Sequence, residues 1–132
     1  MQAAGGTAIA RTARGYGLGA VLIGAAGFGL DVATKQWALG NLDPSAPVQV
    51  IAGQLYLRLI RNPGAAFSMG EGFTVVLTCL AIAAMLFLLF WMVPRVKHLG
   101  WMVAAGLLLA GVSGNLNDRL TREPGPFHGH VI

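Results

Sequence analysis

Residues 73–93 read FTVVLTCLAIAAMLFLLFWMV, an apolar run without a single charged side chain. A helix crosses the hydrocarbon layer of a bilayer with about 20 residues, so this stretch alone makes a membrane span. Pro94 ends it, because proline cannot donate to a continuing helix. The turn Pro94-Arg95-Val96-Lys97-His98 leaves room only for a tight hairpin into a second apolar stretch at residues 99–117. A third lies upstream at residues 16–37, interrupted near its end by Asp31 and Lys35. The expected fold is an all-α membrane protein with three transmembrane helices.

Composition points the same way. Of 132 residues, 55% are hydrophobic and 11% charged, against roughly 25% charged in soluble domains. A water-soluble globule of this size needs a more polar skin, which excludes an ordinary cytosolic enzyme, a disordered tail and a disulfide-stapled module. Cys79 stands alone, so there is neither a disulfide framework nor a thiolate metal site to read. The net charge of +4 is scattered along the chain, not gathered in a stripe, and gives no reason to expect a nucleic acid partner. The length allows a single domain.

Lysine and arginine set the expected orientation. Arg11 and Arg14 precede the first span, and Arg95 and Lys97 lie in the hairpin turn. An even number of crossings separates them, so both sit on one side, expected to be the cytoplasm. Residues 1–15 and 94–98 are then a cytoplasmic tail and turn; residues 38–72 and 118–132 are an outer loop and an outer tail. Arg58, Arg61, Arg119 and Arg122 weaken this bias without reversing it. A cleaved signal peptide at the amino end is disfavoured, since no polar mature region follows the first apolar run. In the outer loop, Val48, Val50, Leu55, Leu57 and Leu59 alternate partially around Ala52-Gly53, which predicts two short strands and a glycine-containing turn.

Three polar groups then stand at one depth. Asp31, Thr34 and Lys35 share a helical face near the outer end of the first span. Asn62 opens the turn before the second, and Asn115 and Asp118 sit one turn apart at the outer end of the third, followed by Arg119. Each has a plain explanation alone: an interfacial ion pair for Asp31 and Lys35, a helix-to-helix hydrogen bond for Asn115, an anchor for Asp118 and Arg119. Gly64 and the small residues Gly106, Ala110, Gly111 and Gly114 suit close packing. Trp37, Trp91 and Trp101 suit the interfacial aromatic belts. His128 and His130 are too few for a metal site. The shared depth lifts the polar set above these explanations, because ionisable groups there are costly and suggest function. It also leaves Asp31 and Asp118 open as a carboxylate pair.

Asp31-Val32-Ala33-Thr34-Lys35, Arg61-Asn62-Pro63-Gly64-Ala65-Ala66-Phe67-Ser68 and Gly114-Asn115-Leu116-Asn117-Asp118-Arg119-Leu120 resemble, in order and separation, three motifs of the lipoprotein signal peptidases, or signal peptidase II. Gly129-His130-Val131-Ile132 resembles the start of a fourth. The resemblance implies a bacterial intramembrane aspartic peptidase of the plasma membrane, with four spanning helices in the family and its active-site side facing outward. Such enzymes cut the signal peptide from prolipoproteins before a diacylglyceryl-modified cysteine, with no cofactor or metal. Two close carboxylates share a proton, one activating water and the other polarising the scissile carbonyl.

By the same resemblance Asp31 and Lys35 support the site, Asn62 and Gly64 lie in the loop near the substrate, and Asn115, Asp118 and Arg119 bind substrate backbone and orient the catalytic pair. The family's two catalytic aspartates belong to later motifs, the first expected directly after Ile132. The resemblance therefore implies a C-terminally truncated chain, with no catalytic residue among these 132 and no activity alone. It also implies a helical face left uncovered and a loose tail from Thr121 onward. Two other functions compete: a non-catalytic three-span protein acting through helix packing or substrate capture, and a transporter or channel fragment with Asp31 and Asp118 lining a polar path.

Overall fold

The computed structural model describes residues 3–64 and 72–132, with side chains described from residue 15 onward. The side chains of Arg11 and Arg14, and the motif residues Ala65, Ala66, Phe67 and Ser68, lie outside the described residues. The element order is α1 (Ala3–Asn41), β1 (Val48–Ile51), β2 (Leu55–Leu57), α2 (Phe73–Phe87) and α3 (Leu99–Thr121). Between α2 and α3 come a π-helical turn, Leu88–Met92, and a 3-10 turn, Val93–Arg95.

Three stretches are long and apolar enough to span a bilayer: Gly15–Asn41, Phe73–Arg95 and Leu99–Thr121, of 27, 23 and 23 residues. At 1.5 Å per residue, a 23-residue helix is about 35 Å long, enough for a hydrocarbon layer about 30 Å thick. Their outward surfaces carry large apolar side chains. Leu22, Leu80, Phe90 and Leu107 are each at least 60% exposed, an arrangement suited to lipid and opposed by water.

The buried seam is built from small residues instead. α3 lies between α1 and α2 and packs most extensively on α1. A methyl group at Gly24 would press on Leu109, one at Gly27 on Ala110, and one at Gly106 on Ala20 and Ile23. With lipid as the solvent, close backbone approach and dispersion hold helices together where a hydrophobic driving force cannot. Gly111, from the same set of small residues, faces open space. Along the middle of the bundle a groove of about 200 Å³ remains, lined by Val21, Ala25 and Phe28 of α1, Met85 and Leu89 beyond it, and Leu109 and Ser113 of α3.

The helix ends differ from expectation. α1 runs on to Asn41, whose side-chain amide donates to the Trp37 carbonyl at 2.8 Å. α3 continues to Thr121, taking Asp118 and Arg119 into the helix. At the hairpin end Pro94 brings no N–H, and the chain leaves α2 through the π turn, closed by Val93 N–H on the Leu88 carbonyl. The two expected strands form an antiparallel pair in which Val48 faces Leu57 and Ile51 faces Leu55, with an irregularity between Gln49 and Ile51. Gly53 takes φ +70° in their turn, a conformation that favours glycine.

The tail after Thr121 corrects the expectation of a loose end. It folds back over the α1–α3 end of the bundle. Gly129 N–H donates to the Arg119 carbonyl at 3.0 Å, and His130 N–H to the Glu123 carbonyl at 3.1 Å. Val131 and Asn62 exchange both backbone hydrogen bonds, at 2.7 and 3.0 Å.

Candidate functional site

Lys35 is the centre of the polar end. It is 8% exposed, and an ammonium so buried needs acceptors for all three donors. Its Nζ lies 2.8 Å from Asp31 Oδ2 on its own helix and 2.7 Å from Asp118 Oδ2 on α3. Asn115 Oδ1 supplies the third acceptor, at 3.5 Å. Spacing of four brings Asp31 and Lys35 onto one face of α1. A spacing of three does the same for Asn115 and Asp118 on α3.

Asp118 is fully buried and correspondingly well supplied. Besides Lys35, Arg122 Nε donates to its Oδ1 at 2.5 Å, and the Ile132 amide donates to Oδ2 at 3.3 Å. Asp31, by contrast, keeps 30% of its side chain exposed. Gly114 makes the approach possible, because a methyl group there would collide with the Asp31 carboxylate. Gly129 does the same for the tail, since a Cβ would run into the backbone of Asp118 and Arg119.

Asn62 and Gly64 arrive by another route. The Asn62 side-chain oxygen accepts the Gly64 N–H at 2.7 Å, closing an Asx turn, and Gly64 takes φ +126°. Thr74 at the start of α2 donates to the Pro63 carbonyl at 2.7 Å. Asn62 then reaches Asp118 through the tail: it pairs with Val131, and the next residue, Ile132, donates to the carboxylate. Thr78 Oγ1, also buried, donates to the Phe127 carbonyl at 2.8 Å and ties the tail to α2.

The structure thus brings Asp31, Lys35, Asn115 and Asp118 into direct contact and links Asn62 and Gly64 to them through residues 131–132. Arg119 is 8% exposed, and its Nη1 has no hydrogen-bond partner among the described residues. A cleft of about 340 Å³ opens beside the network, lined by Asp31, Thr34, Lys35, Ala38, Arg58, Leu59, Ile60 and Ile132.

The geometry bears on the carboxylate pair left open by the sequence. A dyad that shares a proton needs its carboxyl oxygens in contact. Asp31 and Asp118 both bind the Lys35 ammonium, and Arg122 occupies the other oxygen of Asp118. This arrangement can hold a shape and present polar groups, with both carboxylates charge-compensated by cations.

Sequence reasoning missed Arg122, Thr74, Thr78, Gly129 and the Ile132 amide. Asp118 and Arg122 are four apart on a helix, as are Thr74 and Thr78 in an otherwise apolar span, so spacing could have found both pairs. The two glycine and amide contacts carry no such signal.

The family model described as signal peptidase (SPase) II matches residues 23–132. The lipoprotein signal peptidase of Mycobacterium avium is 45% identical over 103 residues, which are 78% of this chain and 56% of that protein. The Streptomyces griseus protein of the same name is 42% identical over 78% of this chain and 52% of its own length. That of Mycolicibacterium smegmatis is 45% identical over 78% and 43%. The chain spans about half the length of the curated relatives it matches. No solved structure matches it.

Proposed function

The chain belongs to the signal peptidase II family, and from that premise we propose that its polar end holds a prolipoprotein for removal of the signal peptide before a diacylglyceryl-modified cysteine. The reaction is that of an aspartic-type endopeptidase in the bacterial plasma membrane, with the site on the outer side. Arg95 and Lys97 at the opposite end support that orientation. Asp31 and Lys35 brace the site, Asn62 and Gly64 shape the loop beside it, and Asn115, Asp118 and Arg119 receive the substrate backbone. The two catalytic aspartates belong to the family's later motifs, which the resemblance places after Val131-Ile132.

One observation carries the assignment of substrate contact: the buried Nη1 of Arg119, one residue from the bridged carboxylates, with no partner among the described residues. A buried donor left unmade costs about 1–3 kcal/mol, and a peptide carbonyl is the acceptor that would satisfy it. The cleft lined by Asp31, Lys35 and Ile132 opens beside the Asp118 network that Arg119 adjoins. A lipid-modified substrate there keeps its acyl chains among the helices while its peptide bond meets water.

The test uses the 132-residue chain in vesicles with a fluorescent peptide spanning the signal-peptide junction, with and without the diacylglyceryl group. The modified peptide should bind more tightly, and R119Q should weaken that binding by roughly 10-fold, the value of one hydrogen bond to a charged donor. Cleavage should be absent. Cleavage by this chain would return the chemistry to Asp31 and Asp118, and equal binding by R119Q would remove Arg119 from the substrate site.

A further inference from the structure

The hairpin between α2 and α3 is built unlike the polar end. Its charges are Arg95 and Lys97, both exposed, and neither has an acidic partner among the described residues. No acidic residue occurs anywhere in residues 72–117. Arg95 is nonetheless fixed: its guanidinium lies 4.6 Å from the Trp91 ring centroid, and its Nη1 donates to the Trp91 carbonyl at 2.7 Å. Phe87 stacks on the other end of this column, 4.9 Å from Trp91. A groove of about 220 Å³ runs beside it, lined by Trp91, Met92, Arg95, Val96 and Trp101.

We propose that this groove binds the headgroup of an anionic phospholipid, with Arg95 and Lys97 on the phosphate and the two tryptophans flanking the glycerol. Charge complementarity commits the site to an anion. A guanidinium held over an aromatic ring and bonded to a carbonyl has lost freedom before the ligand arrives, and its unused N–H groups suit two phosphate oxygens. α3 begins beside it at Leu99 with no side-chain cap on its first amides, so the helix dipole adds positive potential at the same place. Trp91 and Trp101, each more than half exposed, are side chains that settle at headgroup depth, and Met92 and Val96 give the groove an apolar floor for the first methylenes. A lipid anion is favoured over a soluble one because the walls of the groove other than Arg95 are apolar or aromatic. The inference rests on reading the three helices as membrane spans, and is independent of the peptidase chemistry at the other end.

The full chain is reconstituted in vesicles of equal phosphatidylcholine and phosphatidylglycerol, and the lipids it retains are counted by native mass spectrometry after gentle extraction. Wild type should retain phosphatidylglycerol preferentially. R95Q/K97Q should reduce that preference roughly 10-fold or more, as the loss of two surface cations implies. K97R keeps the charge and should keep the preference, R95K gives up the stacked guanidinium and should lose part of it, and R58Q, a cation lost at the other end, should leave it unchanged. Equal retention of both lipids by wild type, or an equal fall in R58Q, would overturn the proposal. Flotation with the vesicles is read separately: a chain that floats without lipid preference refutes the headgroup site alone, and one that fails to float refutes the membrane reading with it.

Discussion

The two ends of the bundle handle charge in opposite ways. The acidic residues Asp31, Asp43, Asp118 and Glu123 fall in the segments of the polar end, and none occurs in residues 72–117, which hold the hairpin end. At the polar end the cations turn inward: Lys35 is clamped between Asp31 and Asp118, and Arg122 completes Asp118. At the hairpin end Arg95 and Lys97 turn outward. A charge taken out of water must be compensated by the protein itself, while an exposed one is compensated by its surroundings. The inward end therefore depends on exact partners, and the outward end on the company it finds.

Removing one cation from each end is the strongest way to break this contrast. K35M leaves a fully buried Asp118 with Arg122 as its one remaining cation and strips Asp31 of its ion pair. Loss of one partner from a buried pair costs about 3–5 kcal/mol, and the variant should show that in a reversible unfolding titration in mixed micelles. K97M, the same chemical change at the hairpin, should stay within about 0.5 kcal/mol of wild type. Equal costs at the two positions would mean that Lys35 is not the buried keystone described here.

A smaller effect sharpens the comparison within α3. At Gly114 an added methyl group meets the Asp31 carboxylate, so G114A must push Asp31 away from Lys35 or spread the two helices. Overpacking of that kind costs about 1–3 kcal/mol. G111A adds the same methyl group three residues away into open space, and should be neutral or slightly stabilising, as alanine is the better helix former. The same titration decides between them, and a neutral G114A would show that the α1–α3 contact has slack at the site.

The contrast also explains what could be read without coordinates. The three spans were legible because an uncharged run as long as 73–93 has few alternatives in a protein. The meeting of Asp31, Asn115 and Asp118 was legible from topology, since two helix ends on one side of a bilayer must share a depth. The helix ends were not: hydropathy marks where lipid begins, and α1 and α3 run past that level to Asn41 and Thr121. Nor was the folded tail. It is held by backbone bonds such as Gly129 N–H to the Arg119 carbonyl and by the hydroxyl of Thr78. Backbone partners leave no pattern in residue type. Lys35 shows the boundary within one side chain: its pairing with Asp31 is local and visible at a spacing of four, and its pairing with Asp118 exists only once α1 and α3 pack.

Asp43 offers the finest comparison, an acid of the same end that stands in water instead of the bundle. It lies beyond the first span, fully exposed, and its Oδ1 accepts the Ser45 hydroxyl at 2.6 Å and the Ser45 amide at 2.8 Å. These bonds, the hydroxyl first, hold its carboxyl below the ordinary value of 3.8, against a slight opposing effect of burial. Because the folded value is the lower one, the contribution to the turn is complete above the unfolded value and fades as pH falls through the folded one. S45A removes the hydroxyl and keeps the amide, so the Asp43 titration, followed by carboxyl carbon NMR, should move up toward 3.8 without reaching it. The unfolding midpoint at neutral pH should scarcely change, since a turn so exposed adds little to the stability of the helices. An unmoved titration would detach the shift from Ser45, and a large loss of stability would erase the distinction between charges that face water and those the helices enclose.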